Sequence, residues 1–169
     1  MQSQREPIRT IGHGERTTDA LVAVLRSAGV ESVIDVRRYP RGRRQPRFAV
    51  ERLMVDFPAH GIAYEAWSDE LGGRRPAPPA SFVSEWTTRG FAAYAAYTAQ
   101  PEFRAALAKL ESRADHGEAI AIMCAETLWW RCHRRLIADE LVGDGFKVVH
   151  LGQGAAGTPH QWPRNQYGF

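Results

Sequence analysis

Short apolar runs alternate with stretches of helical periodicity along the 169 residues. Residues 8–12 read as a first strand. Over 17–28, Leu21, Val24, Leu25 and Ala28 recur at helical spacing, with Thr17 or Thr18 as cap and Gly29 as stop. Residues 32–36 predict a second strand, apolar except for Asp35. A second helix is predicted over roughly 50–60, strained or ended early by Pro58. Gly61 then leads into a third strand over 62–67. The Gly- and Pro-rich stretch 68–80 reads as loop. Helical pieces follow, with Phe91, Tyr94 and Tyr97 on one face and Phe103, Leu107 and Leu110 on another. Residues 118–124 are nearly all apolar, the pattern of a strand covered on both sides. A helix is predicted over 131–142, with Leu136, Ile137 and Leu141 inward. A fifth strand covers 147–151, and the tail 152–169 reads as irregular.

This rhythm predicts one α/β domain over 1–151, a three-layer Rossmann-like fold with a mainly parallel sheet of about five strands. Ligands of such sheets bind beyond the carboxyl ends of the strands. The unusual residues all follow strands: Gly12-His13-Gly14, Asp35-Val36-Arg37-Arg38, Glu70-Leu71-Gly72-Gly73, and the block from Cys124 to Arg135.

The formal net charge is +3, with 20 Arg against 2 Lys. Six of those Arg lie between Arg37 and Arg47, where there is no acid, so the rest of the chain sums to −3. Positive charge concentrated in one loop points to an anionic partner. Two cysteines are too few for a disulfide framework. The first residues are polar, without the apolar segment of a leader. No apolar run approaches the ~20 residues of a membrane span. These features predict a cytoplasmic protein with reduced thiols and no membrane partner.

Cys124 ends an apolar strand, and a helix start follows with Arg131, His133, Arg134 and Arg135. Cations and a helix N-terminus stabilise a thiolate, and the same N–H groups bind anions. The arrangement is similar in plan to the Cys-loop-Arg cradles of rhodanese-like and tyrosine-phosphatase-like enzymes, with a longer loop. The competing reading makes Cys124 a small core residue. Cys132 lies four residues before Leu136 and reads as core. His133 sits at the core margin or transfers a proton. Glu126 is a general acid or base, or an ion-pair partner of Arg131. A metal site would need Cys124, Cys132, His133 and His13 to converge, a spacing unlike known zinc motifs.

Gly12-x-Gly14 with Asp35 approaches a dinucleotide fingerprint, but the third Gly is missing. No cofactor is predicted, and the glycines read as a turn presenting His13. The Arg loop interleaves Tyr39 and Phe48, a composition suited to phosphates and bases. Solvated arginines paired with Asp35 and Glu51 are the alternative. Trp129 or Trp130 supplies a stacking wall, or both are ordinary packing.

Taken together, Thr10-Ile11-Gly12-His13, Asp35-Val36-Arg37 with Pro40, Glu70-Leu71-Gly72-Gly73, and the Met123-Cys124-Ala125-Glu126 to Cys132-His133-Arg134 block with Ile137-Ala138 resemble a bacterial family known as domain of unknown function 488. Phe91, Tyr94 and Phe103 fit its middle pattern. The resemblance implies a fold and a site, and no reaction.

The expected function is an enzyme, a cysteine-dependent hydrolase or transferase, acting on a phosphate-bearing anion such as a nucleotide or nucleic acid. Cys124 is the expected nucleophile, with His133 or His13 moving protons. Arg37, Arg38, Arg131 and Arg134 are expected to hold the anion. Asp35 or Glu70 would orient them, and Gly72, Gly73 and Trp129 would complete the binding surface. The alternatives are a non-enzymatic nucleic-acid binder and the thiolate metal site. Oligomeric state is left open.

Overall fold

The computed structural model describes residues 5–152 and 154–161. Six strands form one sheet: β1 (Ile8–Gly12), β2 (Ser32–Asp35), β3 (Ala63–Ala66), β4 (Ile120–Cys124), β5 (Val148–Gly152) and β6 (Gly154–Pro159). Their spatial order is β3-β2-β4-β1-β5-β6. The first five pair in parallel, and β6 runs antiparallel to β5. Six helices accompany them: α1 (Thr18–Ser27), α2 (Val50–Ala59), α3 (Ser68–Leu71), α4 (Arg89–Tyr97), α5 (Pro101–Asp115) and α6 (Arg134–Gly143).

Three local expectations are corrected. Residues 154–159, read as irregular, form β6, making six strands rather than five. Its pairing satisfies backbone groups on the β5 edge, a tertiary demand that apolar periodicity does not register. The stretch 68–80 is loop only after Leu71, because Ser68–Leu71 makes one helical turn with Asp69 and Glu70 at its positive end. Helix α6 begins at Arg134, after a 3-10 turn at Trp129–Arg131. Residues 162–169 of the expected tail lie outside the described residues.

The core divides by sheet face. Ile11, Val33 and Met123 pack with Leu21 and Leu25 of α1 and Leu53 and Phe57 of α2. Ile34, Ile122 and Cys124 pack with Phe103 and Leu107 of α5 and Leu136 and Leu141 of α6. The connections after β1 and β2 therefore leave toward one face, and the connection after β4 leaves toward the other. Since β4 lies between β1 and β2, its carboxyl end is a topological switch point, where open α/β sheets form their ligand crevice.

Candidate active site

At that switch point the β1 and β4 loops nearly touch. A Cβ on Gly12 would collide with the Glu126 carbonyl and with Thr127. The absent side chain lets backbone NH of His13 bond to the Cys124 carbonyl at 2.8 Å and that of Gly14 to the Ala125 carbonyl at 3.0 Å. Gly12 is thus needed for close approach. Gly14 makes the turn itself, at φ +53°.

Cys124 points to the α5/α6 face, and Cys132 lies two residues before α6, ahead of its N-cap His133. Their Sγ atoms are 2.7 Å apart, and both thiols are free and buried. Arg134 donates from Nε to Cys124 Sγ at 3.0 Å, from Nη1 to Thr10 Oγ1 at 3.0 Å, and from Nη2 to the Glu126 carbonyl at 2.5 Å. The Arg134 backbone N–H points to Cys132 Sγ at 3.5 Å, a contribution from the helix start. His133 lies across Cys132, with Nδ1 3.5 Å from its Sγ and Nε2 2.8 Å from the Val36 carbonyl. A carbonyl only accepts, so Nε2 carries the proton and Nδ1 is free to take one from Cys132.

Burial opposes charge on both thiols, yet their acidities diverge. Burial pushes the Cys124 thiol up, and its contact with Cys132 adds to this. At Cys132 the burial penalty is outweighed by the Cys124 S–H, His133 and the Arg134 guanidinium, which hold the thiol well below its usual range. These opposed shifts favour negative charge on Cys132, with Cys124 as the protonated partner.

The opposite face carries a second constellation. Asp35 is fully buried and accepts from Arg37 N at 3.0 Å, Arg37 Nε at 2.9 Å, Arg37 Nη2 at 2.5 Å and Tyr64 Oη at 2.6 Å. This set satisfies a carboxylate whose burial would otherwise be costly, and fixes Arg37 as a rigid fork. Arg37 Nη1 reaches His13 Nε2 at 3.4 Å. His13 stacks on Phe48 with centroids 4.0 Å apart. Burial lowers its pKa to about 4, so it is neutral at pH 7.

A cleft of about 1140 Å³ opens over the thiols, with Cys124, Cys132 and His133 among its lining. Arginines reach it from three connections: Arg37, Arg38, Arg41, Arg43 and Arg44 between β2 and α2, Arg74 after α3, and Arg131 before α6. Glu126 is the one acid lining it among the described residues, and Tyr39, Phe91, Tyr94 and Trp130 add aromatic surface.

Several expected residues thus meet at one cleft: Cys124, His133, Arg37, Arg38, Arg131, Glu126 and Gly73. Others stand elsewhere. Arg134 is 1% exposed and turned onto protein atoms, so it holds the thiols rather than an anion. His13 belongs to the Phe48 face, behind Arg37. Trp129 is buried and stacked on His150 at 4.1 Å, so the tryptophan in the cleft is its neighbour Trp130. Glu70 is exposed and does not line the cleft, though its carbonyl accepts from Tyr97 Oη at 2.5 Å. Gly72 makes room for Arg38, and Gly73 for the His133 ring. Asp35 orients Arg37, as expected of one of the two acids. Glu126 turns its carboxylate to the Leu128 N–H at 3.0 Å, capping the loop. Among the described residues no group of three or more His, Cys, Asp or Glu is placed to hold a metal ion. The convergence of His13 with the thiols that such a site needed does not form.

Cys132 is the main residue the sequence reading assigned to the core. Its neighbour His133 and its place before a helix were the available signals. Arg74 lay in the unusual Asp69–Arg75 segment after the third strand, without a role of its own, and Tyr64 gave no local signal.

The chain is thus an α/β domain with a parallel-sheet switch point carrying a thiol pair under an arginine-lined cleft. The family model described as Domain of unknown function DUF488 matches residues 17–141, and the chain belongs to that family. Neither the curated proteins nor the solved structures give a match. No helix among the described residues is long and apolar enough to cross a membrane.

Proposed function

We propose that this protein is a cysteine-dependent hydrolase or transferase acting on an anionic, phosphate-bearing substrate, a nucleotide or a nucleic acid strand. The observation that carries the reading is the Cys132–His133–Val36 series on the floor of the arginine-lined cleft. A nucleophile, a base in reach and a group orienting that base form the pattern of an activated thiol. The geometry favours Cys132 over Cys124 as attacking atom.

His133 Nδ1 holds the proton given up by Cys132, and the thiolate sulfur bonds to an electrophilic centre of the substrate. The leaving group departs with its electron pair and receives the proton from His133. Water or a second acceptor then gives a proton to His133, attacks the covalent intermediate and releases the Cys132 thiolate. Arg37, immobilised by Asp35, and the mobile-stemmed Arg41, Arg43 and Arg44 suit phosphate oxygens. Trp130 and Phe91 suit a base. A reducing cytoplasm suits two free thiols in contact.

The test is turnover of nucleotides and short single-stranded oligonucleotides by wild type, Cys132→Ser and Cys124→Ser. Cys132→Ser is expected to keep substrate affinity and lose turnover by on the order of a thousandfold. Full turnover in Cys132→Ser would end this assignment. The exposed Arg41, Arg43 and Arg44 also favour plain nucleic-acid binding. Binding that survives thiol alkylation, with no substrate turned over, would select that reading.

A further inference from the structure

Behind Arg134 runs a buried hydrogen-bonded chain that crosses the sheet edge from β1 to β5 and β6. Thr10 Oγ1 lies 3.0 Å from Arg134 Nη1 and 2.7 Å from His150 Nδ1. His150 Nε2 lies 2.9 Å from His160 Nδ1, and His160 Nε2 lies 2.8 Å from Asp139 Oδ1. Thr10, His150 and Asp139 are each at most 3% exposed, and Trp129 covers the His150 ring face to face. The His160 side chain is 2% exposed.

The chemistry of the ends sets the direction. A guanidinium only donates, so Thr10 Oγ1 accepts from Arg134. A carboxylate only accepts, so His160 Nε2 carries a proton for Asp139, and with neutral imidazoles between them His150 Nδ1 is left to take the Thr10 hydroxyl proton. A neutral imidazole accepting at Nδ1 donates at Nε2. With both imidazoles neutral, His150 donates to His160 and His160 to the Asp139 carboxylate. Burial, with His160 and Arg134 nearby, lowers the His150 pKa to about 2, so it stays neutral. Each link presents an acceptor because the next one does.

We propose that Thr10, His150, His160 and Asp139 are positioning residues: their one-way chain holds the Arg134 guanidinium against the Cys124–Cys132 pair and so sets its thiolate. The proposal rests on the thiol-enzyme reading only in naming which thiolate matters. Other charged or titratable groups facing the thiols are His133, beside Cys132, and Tyr94 from α4.

The ultraviolet absorbance of the thiolate, followed against pH in the intact protein, needs no substrate and no reagent access. Wild type is compared with Thr10→Val, Thr10→Ser and His160→Leu, with near-ultraviolet circular dichroism to verify folding. Thr10→Val is expected to raise the thiolate midpoint by about one pH unit, a tenfold loss of thiolate below it. Thr10→Ser restores the wild-type midpoint, and His160→Leu raises it by a smaller amount. An unmoved midpoint in folded Thr10→Val and His160→Leu overturns the proposal. So does a shift in Thr10→Val alone, since the chain would then end at Thr10. Should Thr10→Val not fold, His160→Leu, two links further away, carries the same decision. Loss of the proposed activity would leave these midpoints unchanged, so the two ideas fail separately.

Discussion

His133 Nε2 donates to the carbonyl oxygen of Val36 at 2.8 Å, while its other ring nitrogen faces Cys132 Sγ at 3.5 Å. One main-chain oxygen at the end of β2 thereby selects the tautomer of a histidine at the start of α6. The base is positioned by backbone, which a side-chain substitution at Val36 does not remove.

His133→Phe keeps the ring and removes both nitrogens. Alkylation of Cys132 by iodoacetamide at pH 7 is expected to slow by about tenfold, a pKa change near one unit. Peptide mass mapping locates the alkylated cysteine. An unchanged rate would mean that Arg134 and Cys124 alone maintain the thiolate.

Two buried histidines make the fold sensitive to acid. Burial holds His13 at about 4 and His150 at about 2, below the ordinary 6.5. The unfolded chain therefore binds protons first as the pH falls. Their contribution is fully present above pH 6.5 and is lost downward, from 6.5 to 4 for His13 and on toward 2 for His150. Each group contributes a slope on the order of 1 kcal/mol per pH unit in its window. Urea midpoints measured from pH 7.5 to 4.5 are expected to fall steadily. In folded His13→Gln the fall should be shallower, and an equal slope would remove His13 as a cause.

Asp35 and Tyr64 are expected to differ in weight. Asp35→Ala leaves Arg37 charged and largely buried, at a cost of about 3–5 kcal/mol. Tyr64→Phe removes one hydrogen bond to a charged acceptor, about 1–3 kcal/mol. Urea unfolding orders the two. Both variants also release Arg37, so weaker binding of inorganic phosphate should accompany the loss. Stability change with unaltered anion binding would restrict the pair to a structural role.

The arginine loop is expected to act through charge. Arg43→Ala with Arg44→Ala should weaken binding of a short single-stranded oligonucleotide and flatten its dependence on salt. The log–log slope should shrink by about 0.7 for every phosphate the loop no longer neutralises. Fluorescence anisotropy across salt concentrations measures it. A slope equal to wild type would place these two side chains off the strand.

Much of the site was legible because strand ends carried unusual residues. Asp35 and Cys124 each end an apolar run, His133 opens the helix that follows the second of them, and an α/β rhythm sends such boundaries to one edge. Cys132 was obscured by helical spacing to Leu136, since a residue at a helix start satisfies the same periodicity as a core position. Trp129 and Trp130 are indistinguishable as neighbours, and only packing against His150 put one inside and left the other in the cleft. Arg134 looked like an anion ligand because its charge is visible in sequence and its three protein acceptors are not.

The sequence by itself determined the class of fold, the run of strands and helices, and the sheet edge at which the cysteines and arginines gather, because periodicity and apolar runs are local properties of the chain. The tertiary structure decided the roles. It made β6 out of a stretch with no strand pattern by offering it the edge of β5. It placed His13 with Phe48 on one face and the thiols on the other, because the connections after β1 and β4 leave in opposite directions. It joined Thr10 to Asp139 through residues 140 and 150 positions removed from Thr10. Hydrogen bonds depend on distances across the fold, and no local pattern encodes those.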